Sequence, residues 1–279
     1  MSDFEDGPTP RPAYALGHSD REIDRLSVQA RLIDPITRRF FHDAGIVPGM
    51  RVLDVGSGAG DVTFLVADLV GESGEVVGVD RAPNALARAK ARADAQSRRN
   101  VFFREGDPAQ IAFERPFDAV VGRYVLQFQP DPAVMLRMLA GQVRRGGSIV
   151  FHEIDWDGAR SFPPSPTYDQ CCRWIVETLR LLGAETRMGI KLHATFLAAG
   201  LLAPVMRLEA VMGGLSTDRD CMNLVADLVE TLGPEMERLR VATATEIGSA
   251  TLATRMDNEV NALSSVIVGR SEIGAWSRA

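Results

Sequence analysis

The chain has 279 residues, of which 46% are hydrophobic and 24% charged, so it can bury the core of one large globular domain. Its 37 acidic and 31 basic residues give a net charge of −6, which argues against nucleic acid as a partner. No apolar run reaches the roughly 18–20 residues that span a bilayer, and the first residues do not resemble a secretory signal. We therefore predict a cytoplasmic protein without membrane insertion, and the composition leaves a homo-oligomer open.

Two helices are predicted before the first strand. Ser19 and Glu22 form a capping box for the first helix, which carries apolar residues at helical spacing. Asp34 and Pro35 are typical of the start of a second helix, because aspartate caps a helix and proline suits its first position. Residues 1–47 are thus a predicted helical lead.

From residue 48 onward, short β-branched runs alternate with helical patterns. This alternation predicts an α/β fold with a doubly wound, mostly parallel sheet, and the almost wholly apolar strands indicate helices on both faces. Seven strands are predicted, with helices near 61–70, 83–97 and 131–143 between the early ones. The strands are expected at 51–55, 75–80, 101–105, 117–122, 148–154, 204–212 and 266–276.

The region after residue 155 is mainly helical. Helices are predicted near 167–183 and 186–199, and again over 218–263 with a break at Gly233-Pro234. We expect 48–213 and 264–279 to form the core, with 214–263 inserted as a helical lid over the acceptor site. The last strand is expected to return as an edge strand beside 204–212.

The first strand runs into a glycine-rich turn that opens a helix. Gly56, Gly58 and Gly60 are spaced G-x-G-x-G, which differs from the G-x-G-x-x-G spacing that binds a dinucleotide pyrophosphate. Such a turn lets a ligand approach the backbone closely, although glycines also end strands for structural reasons alone. Asp54, two positions earlier, suits an ammonium group. The pattern favours a nucleotide-like ligand without a pyrophosphate.

Acidic residues also follow the second and third strands. Asp80 suits a ribose diol, since a carboxylate accepts two hydroxyl hydrogen bonds side by side; the alternative is a cap for the next helix. Asp107, after Gly106, can reach an adenine amino group, or can serve as ordinary turn chemistry. Both residues are predicted at the same sheet edge as the glycine turn.

Five motifs occur in order between residues 48 and 155: VLDVGSGAGDVT, VVGVD, EGD, FDAVVGRYVLQFQPDP and LAGQVRRGGSIVFHEID. Together they resemble the class I S-adenosylmethionine-dependent methyltransferases, and most of all the small-molecule, ubiquinone/menaquinone-type subgroup, many of whose bacterial members decorate secondary metabolites. The resemblance implies a Rossmann-like methyltransferase fold and S-adenosyl-L-methionine as the cofactor. The N-terminal segment resembles the helical lead that lies over the cofactor in this subgroup.

The resemblance also implies which residues bind the cofactor. The glycine turn would line it, Asp80 would hold the ribose, Asp107 the adenine, and Arg123 would lie beside the methionine portion. Where many relatives have histidines after the fourth strand, this chain has none. The residues assigned to the cofactor are Asp54, Gly56, Ser57, Gly58, Gly60, Asp80, Arg81, Gly106, Asp107, Arg123, Arg25 and Gln29.

Methyl transfer from a sulfonium needs alignment more than a metal, and the sequence indicates no metal site. His152 is the best of four histidines for a catalytic base, because it is predicted at the carboxyl end of the fifth strand. Glu153 beside it would stabilise an imidazolium. The alternative is a polar strand end that only positions the acceptor. Tyr14 is the third candidate, as a roof over cofactor or acceptor.

The leading hypothesis is a methyltransferase acting at O, N or C of a small, largely apolar acceptor. A nicotinamide-dependent oxidoreductase is the rival enzyme, but it requires a third glycine in the dinucleotide spacing, which is absent. A protein that binds S-adenosylmethionine without turnover is a third class. The same fold also hosts non-methylating cyclisations, because fold does not fix function.

Overall fold

The computed structural model describes residues 20–214 and 219–279, and along the first helix it describes the side chain of Gln29 and those from Leu32 onward. The strands are β1 (Arg51–Val55), β2 (Glu75–Asp80), β3 (Val101–Glu105), β4 (Phe117–Arg123), β5 (Val143–Asp155), β6 (Arg160–Phe162), β7 (Val205–Gly213) and β8 (Val266–Arg278). The helices are α1 (Asp20–Asp43), α2 (Asp61–Val70), α3 (Pro83–Ala95), α4 (Pro132–Ala140), α5 (Pro166–Leu181), α6 (Met188–Ala198), α7 (Asp220–Arg238), α8 (Ala244–Ile247) and α9 (Ser249–Leu263).

The strands form one mixed sheet in the order β3-β2-β1-β4-β5-β8, with β6 and β7 both pairing with β8. Strands β1 to β5 are parallel, and β8 is antiparallel to each of its partners. One apolar cluster joins the sheet to α1 and α2, and another joins it to α4 and α6. The predicted doubly wound, mostly parallel sheet is confirmed. The carboxyl ends of β1 to β5 meet at one edge, where such sheets bind ligands.

Two predictions about the sheet are wrong. The strand β6 makes eight strands where seven were predicted, and β8 is not an edge strand but lies between β5 and β7. Ile267 and Ile273 of β8 are at most 2% exposed, because each packs in an apolar cluster on a face of the sheet. Strand β7 carries the free edge instead, and it exposes Leu208 and Met212 to more than half of their surface.

The predicted division of the helical lead is also wrong, because α1 continues through Pro35. A proline inside a helix costs about 3 kcal/mol. Burial of Ile33 and Phe40 on the helix face that packs on the sheet offsets this cost. Asp34 does not cap a new helix; its carboxylate accepts a hydrogen bond from Arg123 at 2.7 Å.

The helices α7, α8 and α9, here called the helical cover, pack with α5 around a shared apolar core. Trp156 at the end of β5, Val229 of α7 and Met256 of α9 belong to this core. The predicted break at Gly233-Pro234 is wrong, since α7 continues to Arg238. Among the described helices, none combines the length and the apolar composition needed to cross a bilayer.

Candidate active site

The glycine turn between β1 and α2 has the backbone geometry that its sequence predicts. Gly56, Gly58 and Gly60 have φ angles of +67°, +52° and +93°, a region that favours glycine. A Cβ atom on Gly56 would lie 2.7 Å from Val125 Cγ2, so the turn is packed against the end of β4. A Cβ on Gly58 would meet no atom of the described residues within 4 Å. The backbone at Gly58 is therefore open to a ligand.

Asp54 lies under this turn with one oxygen unpaired. The residue is 1% exposed and its Oδ2 accepts from Thr63 Oγ1 at 2.6 Å, while its Oδ1 has no partner among the described residues. Burial raises the pKa of Asp54 to about 7, against the lowering effects of Thr63 and Arg123. The hydroxyl of Ser57 is likewise buried, and the described part of the chain offers it no partner. Such groups are costly unless a ligand supplies the bond, so Asp54 and Ser57 fit a cofactor with a cationic amino group.

Asp80 connects the turn to the next helix. Its Oδ2 accepts from the Gly58 backbone N–H and its Oδ1 from that of Ala82, both at 2.8 Å. The hydrogen bond from Ala82 to Oδ1 is the helix cap that was considered as the alternative role of Asp80. A carboxylate has about four acceptor positions, so two remain for a ribose diol. The structure is compatible with both roles at once.

The residues predicted at the adenine end contact each other. Arg81 Nη2 donates to Asp107 Oδ2 at 2.6 Å, and Asp107 Oδ1 accepts from the Ala109 backbone N–H at 3.1 Å. The hydrogen bond to Ala109 shows that Asp107 stabilises the turn after β3, the alternative role considered for it. Gly106 has a φ of +143°, which allows the chain to bend sharply after β3. The ion pair closes the edge of the site beyond Asp80.

Arg123 is at the end of β4, in register with His152 of β5. Its Nη1 donates to Asp34 Oδ1 at 2.7 Å and to Thr37 Oγ1 at 3.0 Å, and its side chain is 5% exposed. Arg123 therefore ties α1 to the carboxyl edge of the sheet. It is also close enough to lower the pKa of Asp54, which places it near the glycine turn.

The candidates from the helical lead are placed only in part. Tyr14 lies outside the described residues. Arg25 lies in α1, but its side chain is not among those described. Gln29 is half-buried in α1, one turn before Ile33. The predicted roof over the cofactor stays a prediction.

His152 is fully buried, and both of its ring nitrogens are engaged. Nε2 is 2.8 Å from Glu272 Oε2, and Nδ1 is 3.1 Å from Thr37 Oγ1. Burial lowers the pKa of His152, although Glu272 opposes that effect. A carboxylate can only accept, so the neutral ring donates from Nε2 to Glu272. The Thr37 hydroxyl has one proton, which it donates to the Ile33 carbonyl oxygen at 3.1 Å, so Nδ1 faces Thr37 Oγ1 without receiving that proton. Thr37 therefore lies where a substrate would approach the Nδ1 lone pair.

Glu153 does not contact the imidazole, and the expectation that it stabilises an imidazolium is wrong. Successive side chains of a strand point to opposite faces. Glu153 Oε1 instead accepts from the backbone N–H groups of Val125 and Leu126 at 2.8 and 2.7 Å, while Oε2 has no partner within the described ranges. Burial raises the pKa of Glu153 to about 8. The carboxylate that faces His152 is Glu272.

Three residues of this buried network were missed from the sequence: Tyr124, Arg270 and Glu272. Tyr124 Oη donates to Glu272 Oε2 at 2.6 Å, and Arg270 Nε donates to Glu272 Oε1 at 3.1 Å. Burial alone would raise the pKa of Glu272, but Arg270, His152 and Tyr124 lower it to about 2. The signal in the sequence was the presence of two charged residues, Arg270 and Glu272, in a mostly apolar strand. Their place in the site depends on the pairing of β8 with β5, which the sequence did not indicate.

Comparison with known proteins agrees with this geometry. Residues 46–183 match the family model described as "Methyltransferase domain". The demethylmenaquinone methyltransferase of Lactococcus lactis is 34% identical over 127 residues, which is 45% of this chain and 48% of that protein. An aklanonic acid methyltransferase of a Streptomyces species is 36% identical over 138 residues, 49% of this chain and 62% of that protein. The chain thus spans only about half to three-fifths of the curated relatives that it matches.

Solved structures share the fold at low sequence identity. A putative methyltransferase from Bacillus halodurans has a TM-score of 0.57 at 16% identity, covering 86% of this chain and 96% of that one. A [4+2]-cyclase has a TM-score of 0.52 at 19% identity, covering 88% and 81%.

Residues 46–183 are therefore a methyltransferase domain of the class I, S-adenosylmethionine-dependent kind, in its small-molecule subgroup. The resemblance drawn from the five motifs is confirmed, as is S-adenosyl-L-methionine as the cofactor of the domain. Across the described ranges, no group of three His, Cys, Asp or Glu side chains is arranged as metal ligands.

Proposed function

We propose that the protein transfers a methyl group from S-adenosylmethionine to O, N or C of a small, largely apolar organic acceptor. The observation that carries the proposal is the unpaired Oδ1 of Asp54 beneath a glycine turn that is open at Gly58, within a methyltransferase domain. The relatives named for demethylmenaquinone and aklanonic acid support a small organic acceptor. A role in bacterial secondary metabolism and a cytoplasmic location are further parts of this proposal.

The bound cofactor supplies an activated methyl group, and the chain holds it in place. Asp54 accepts from its ammonium group, Asp80 from its ribose hydroxyls, and Asp107 with Arg81 borders its adenine. Alignment of the acceptor with the methyl group accounts for most of the catalysis that such a displacement needs.

His152 acts in this proposal mainly as a positioning residue. It connects Thr37, which Arg123 also contacts, to Glu272 on the last strand. Because Thr37 Oγ1 lies 3.1 Å from Nδ1, the imidazole can take a proton from the methyl acceptor at Nδ1 only if Thr37 first turns away. The network therefore fixes the ends of β4 and β5 relative to α1.

Calorimetry with S-adenosylmethionine and with NAD tests the cofactor assignment. We expect binding of the first alone, and we expect Asp80→Ala to weaken it by about 1–3 kcal/mol, because buried hydroxyl partners lose a charged acceptor. The exposed Glu114 provides a matched control, Glu114→Gln, which should bind normally. Unchanged affinity in a folded Asp80→Ala variant would leave Asp80 as a cap only.

Incubation with methyl-labelled S-adenosylmethionine and a panel of acceptors tests the reaction itself. Methyl transfer produces labelled acceptor and S-adenosylhomocysteine in equal amounts. A cyclase, which the fold alone also allows, would change the acceptor without forming S-adenosylhomocysteine. That outcome would contradict the proposed function while leaving the cofactor site intact.

A further inference from the structure

Arg270 lies between two aromatic rings where β5 ends. Its guanidinium carbon is 5.2 Å from the ring centre of Tyr124 and 5.4 Å from that of Trp156. Nε donates to Glu272, and Nη2 donates to Tyr124 Oη at 3.2 Å. A guanidinium has five N–H groups, and within residues 20–214 and 219–279 no partner is found for Nη1. This arginine keeps donors to spare although its side chain is only 10% exposed.

Trp156 supplies a second donor without a partner. The residue is 4% exposed, and its indole Nε1 makes no hydrogen bond to any residue that the structure describes. Buried tryptophan N–H groups usually have a partner, because an unpaired donor costs the desolvation energy of that group. The Arg270 guanidinium carbon lies 5.4 Å from the centre of the indole ring, so these donors belong to neighbouring side chains.

The neighbouring carboxylate cannot satisfy all of these donors, because Glu272 already uses three of its about four acceptor positions. Glu272 Oε1 accepts from Arg270 Nε, and Oε2 accepts from Tyr124 and His152. Tyr124 Oη already accepts a hydrogen bond from Arg270 Nη2. The remaining donors therefore call for an oxygen that is not in the described residues, and a charged acceptor makes the stronger bond with a guanidinium.

These donors are beside the cofactor site and under the cover. Tyr124 follows Arg123 directly at the end of β4, and Val125, the next residue, packs against Gly56 of the glycine turn. Trp156 belongs to the apolar core of the helical cover, against which Tyr124 also packs. The segment Tyr124-Val125 therefore connects the glycine turn to the apolar core of the cover.

We propose that the methyl acceptor is an organic acid, and that Arg270 and Trp156 recognise its carboxylate. The inference rests on the proposed function and narrows its acceptor to a class. Arg270 provides the charge, and Trp156 provides a directional N–H that distinguishes a carboxylate from an apolar group of the same size. Tyr124 and Glu272 hold the guanidinium in position.

The test measures binding of acids and their amides to the protein saturated with S-adenosylhomocysteine. Salicylic acid and 1-hydroxy-2-naphthoic acid, each paired with its primary amide, are titrated at millimolar concentration by calorimetry. We expect at least one acid to bind about tenfold or more tightly than its amide. Arg270→Gln should abolish this preference, and Trp156→Phe, which keeps an aromatic ring, should weaken the acid about three- to tenfold. Arg173→Gln, an exposed arginine of α5, is the matched control.

No preference for either acid would overturn the inference, as would a preference that survives in folded Arg270→Gln. If that variant fails to fold, Trp156→Phe decides, and unchanged acid affinity then contradicts the proposal. Binding of S-adenosylhomocysteine is measured first in every protein. Its absence from the wild-type protein would contradict the proposed function, whereas its presence without an acid preference contradicts this inference alone.

Discussion

At the scale of single residues, two buried carboxyl groups near the glycine turn differ in what surrounds them. Asp54 has an unpaired oxygen beside the open backbone of Gly58, and its pKa is raised to about 7. Glu153 has a pKa raised to about 8 and holds the backbone after β4. The first group is placed to meet a ligand, and the second stabilises the loop that packs against the turn.

Asp54→Asn should weaken binding of S-adenosylmethionine by about 1–3 kcal/mol, because the amide cannot pair with an ammonium group. In the wild-type protein the carboxyl must ionise to form that pair. Affinity should therefore rise as the pH increases through about 7, and the variant should lose this dependence. Calorimetry at pH 6 and pH 8 checks both, and an unchanged pH profile in the variant would contradict the role of Asp54.

Glu153→Gln should make the free energy of unfolding less dependent on pH. The native carboxyl keeps its proton up to about pH 8, whereas the unfolded chain releases it above its ordinary pKa. Because the native state then binds more protons, wild-type stability falls as the pH rises between these values. The difference in the free energy of unfolding, variant minus wild type, should be larger at pH 9 than at pH 5 by on the order of 1–3 kcal/mol. Urea unfolding at pH 5 and at pH 9 measures this difference, with Glu114→Gln as the control. Equal stability of variant and wild type at both pH values would contradict the prediction.

The pH dependence of turnover distinguishes the two roles of His152. A base would become active as the pH rises through its pKa, which burial lowers, so the rate should be flat at and above neutral pH. His152→Ala should then lower turnover about 10²–10⁴-fold with cofactor affinity nearly intact. If His152 only positions the acceptor, we expect a smaller loss of turnover in the variant, a higher KM for the acceptor, and no inflection in the pH–rate profile that comes from histidine. Full activity in the alanine variant would remove His152 from the site.

At the scale of elements, the helical cover is the part expected to move. It packs with α5 in one apolar core, so its helices should open together as a unit. Gly214, with a φ of +126°, lies where the chain leaves β7 and is the expected hinge. Gly233-Pro234 cannot serve as one, because α7 is continuous there.

Hydrogen exchange should show faster exchange in α7 and α9 than in β4 and β5 without ligand, and slower exchange in the cover once cofactor and acceptor are bound. The central strands provide the internal control. Equal protection of cover and strands in the free protein would argue that access to the acceptor site does not require the cover to open.

At the scale of the whole molecule, the last strand completes the site. Strand β8 brings Arg270 and Glu272 beside β5, more than a hundred residues away along the chain. Glu272 is buried against Arg270, His152 and Tyr124, and its pKa is held at about 2. Its charge balances the buried guanidinium, so the stability of the whole fold depends on it.

Glu272→Gln should lower the free energy of unfolding by about 3–5 kcal/mol, because it leaves the Arg270 charge buried without a counter-ion. In the wild-type protein this contribution is present above the ordinary pKa of a glutamate and is lost as the pH falls towards 2. Denaturant unfolding at neutral pH and at pH 3 measures both effects. A loss no larger than that of the exposed Glu114→Gln would contradict this account.

The sequence by itself determined the parts of this protein that depend on local patterns. The strands β1 to β4, the glycine turn and the family of the domain follow from residues within a few positions of one another, because turn geometry and hydrophobic periodicity are local. The tertiary structure alone decided that α1 continues through Pro35, that β8 separates β5 from β7, and that His152 faces Glu272 rather than Glu153. Each depends on burial and strand pairing between distant segments, which gain free energy only when the chain is folded.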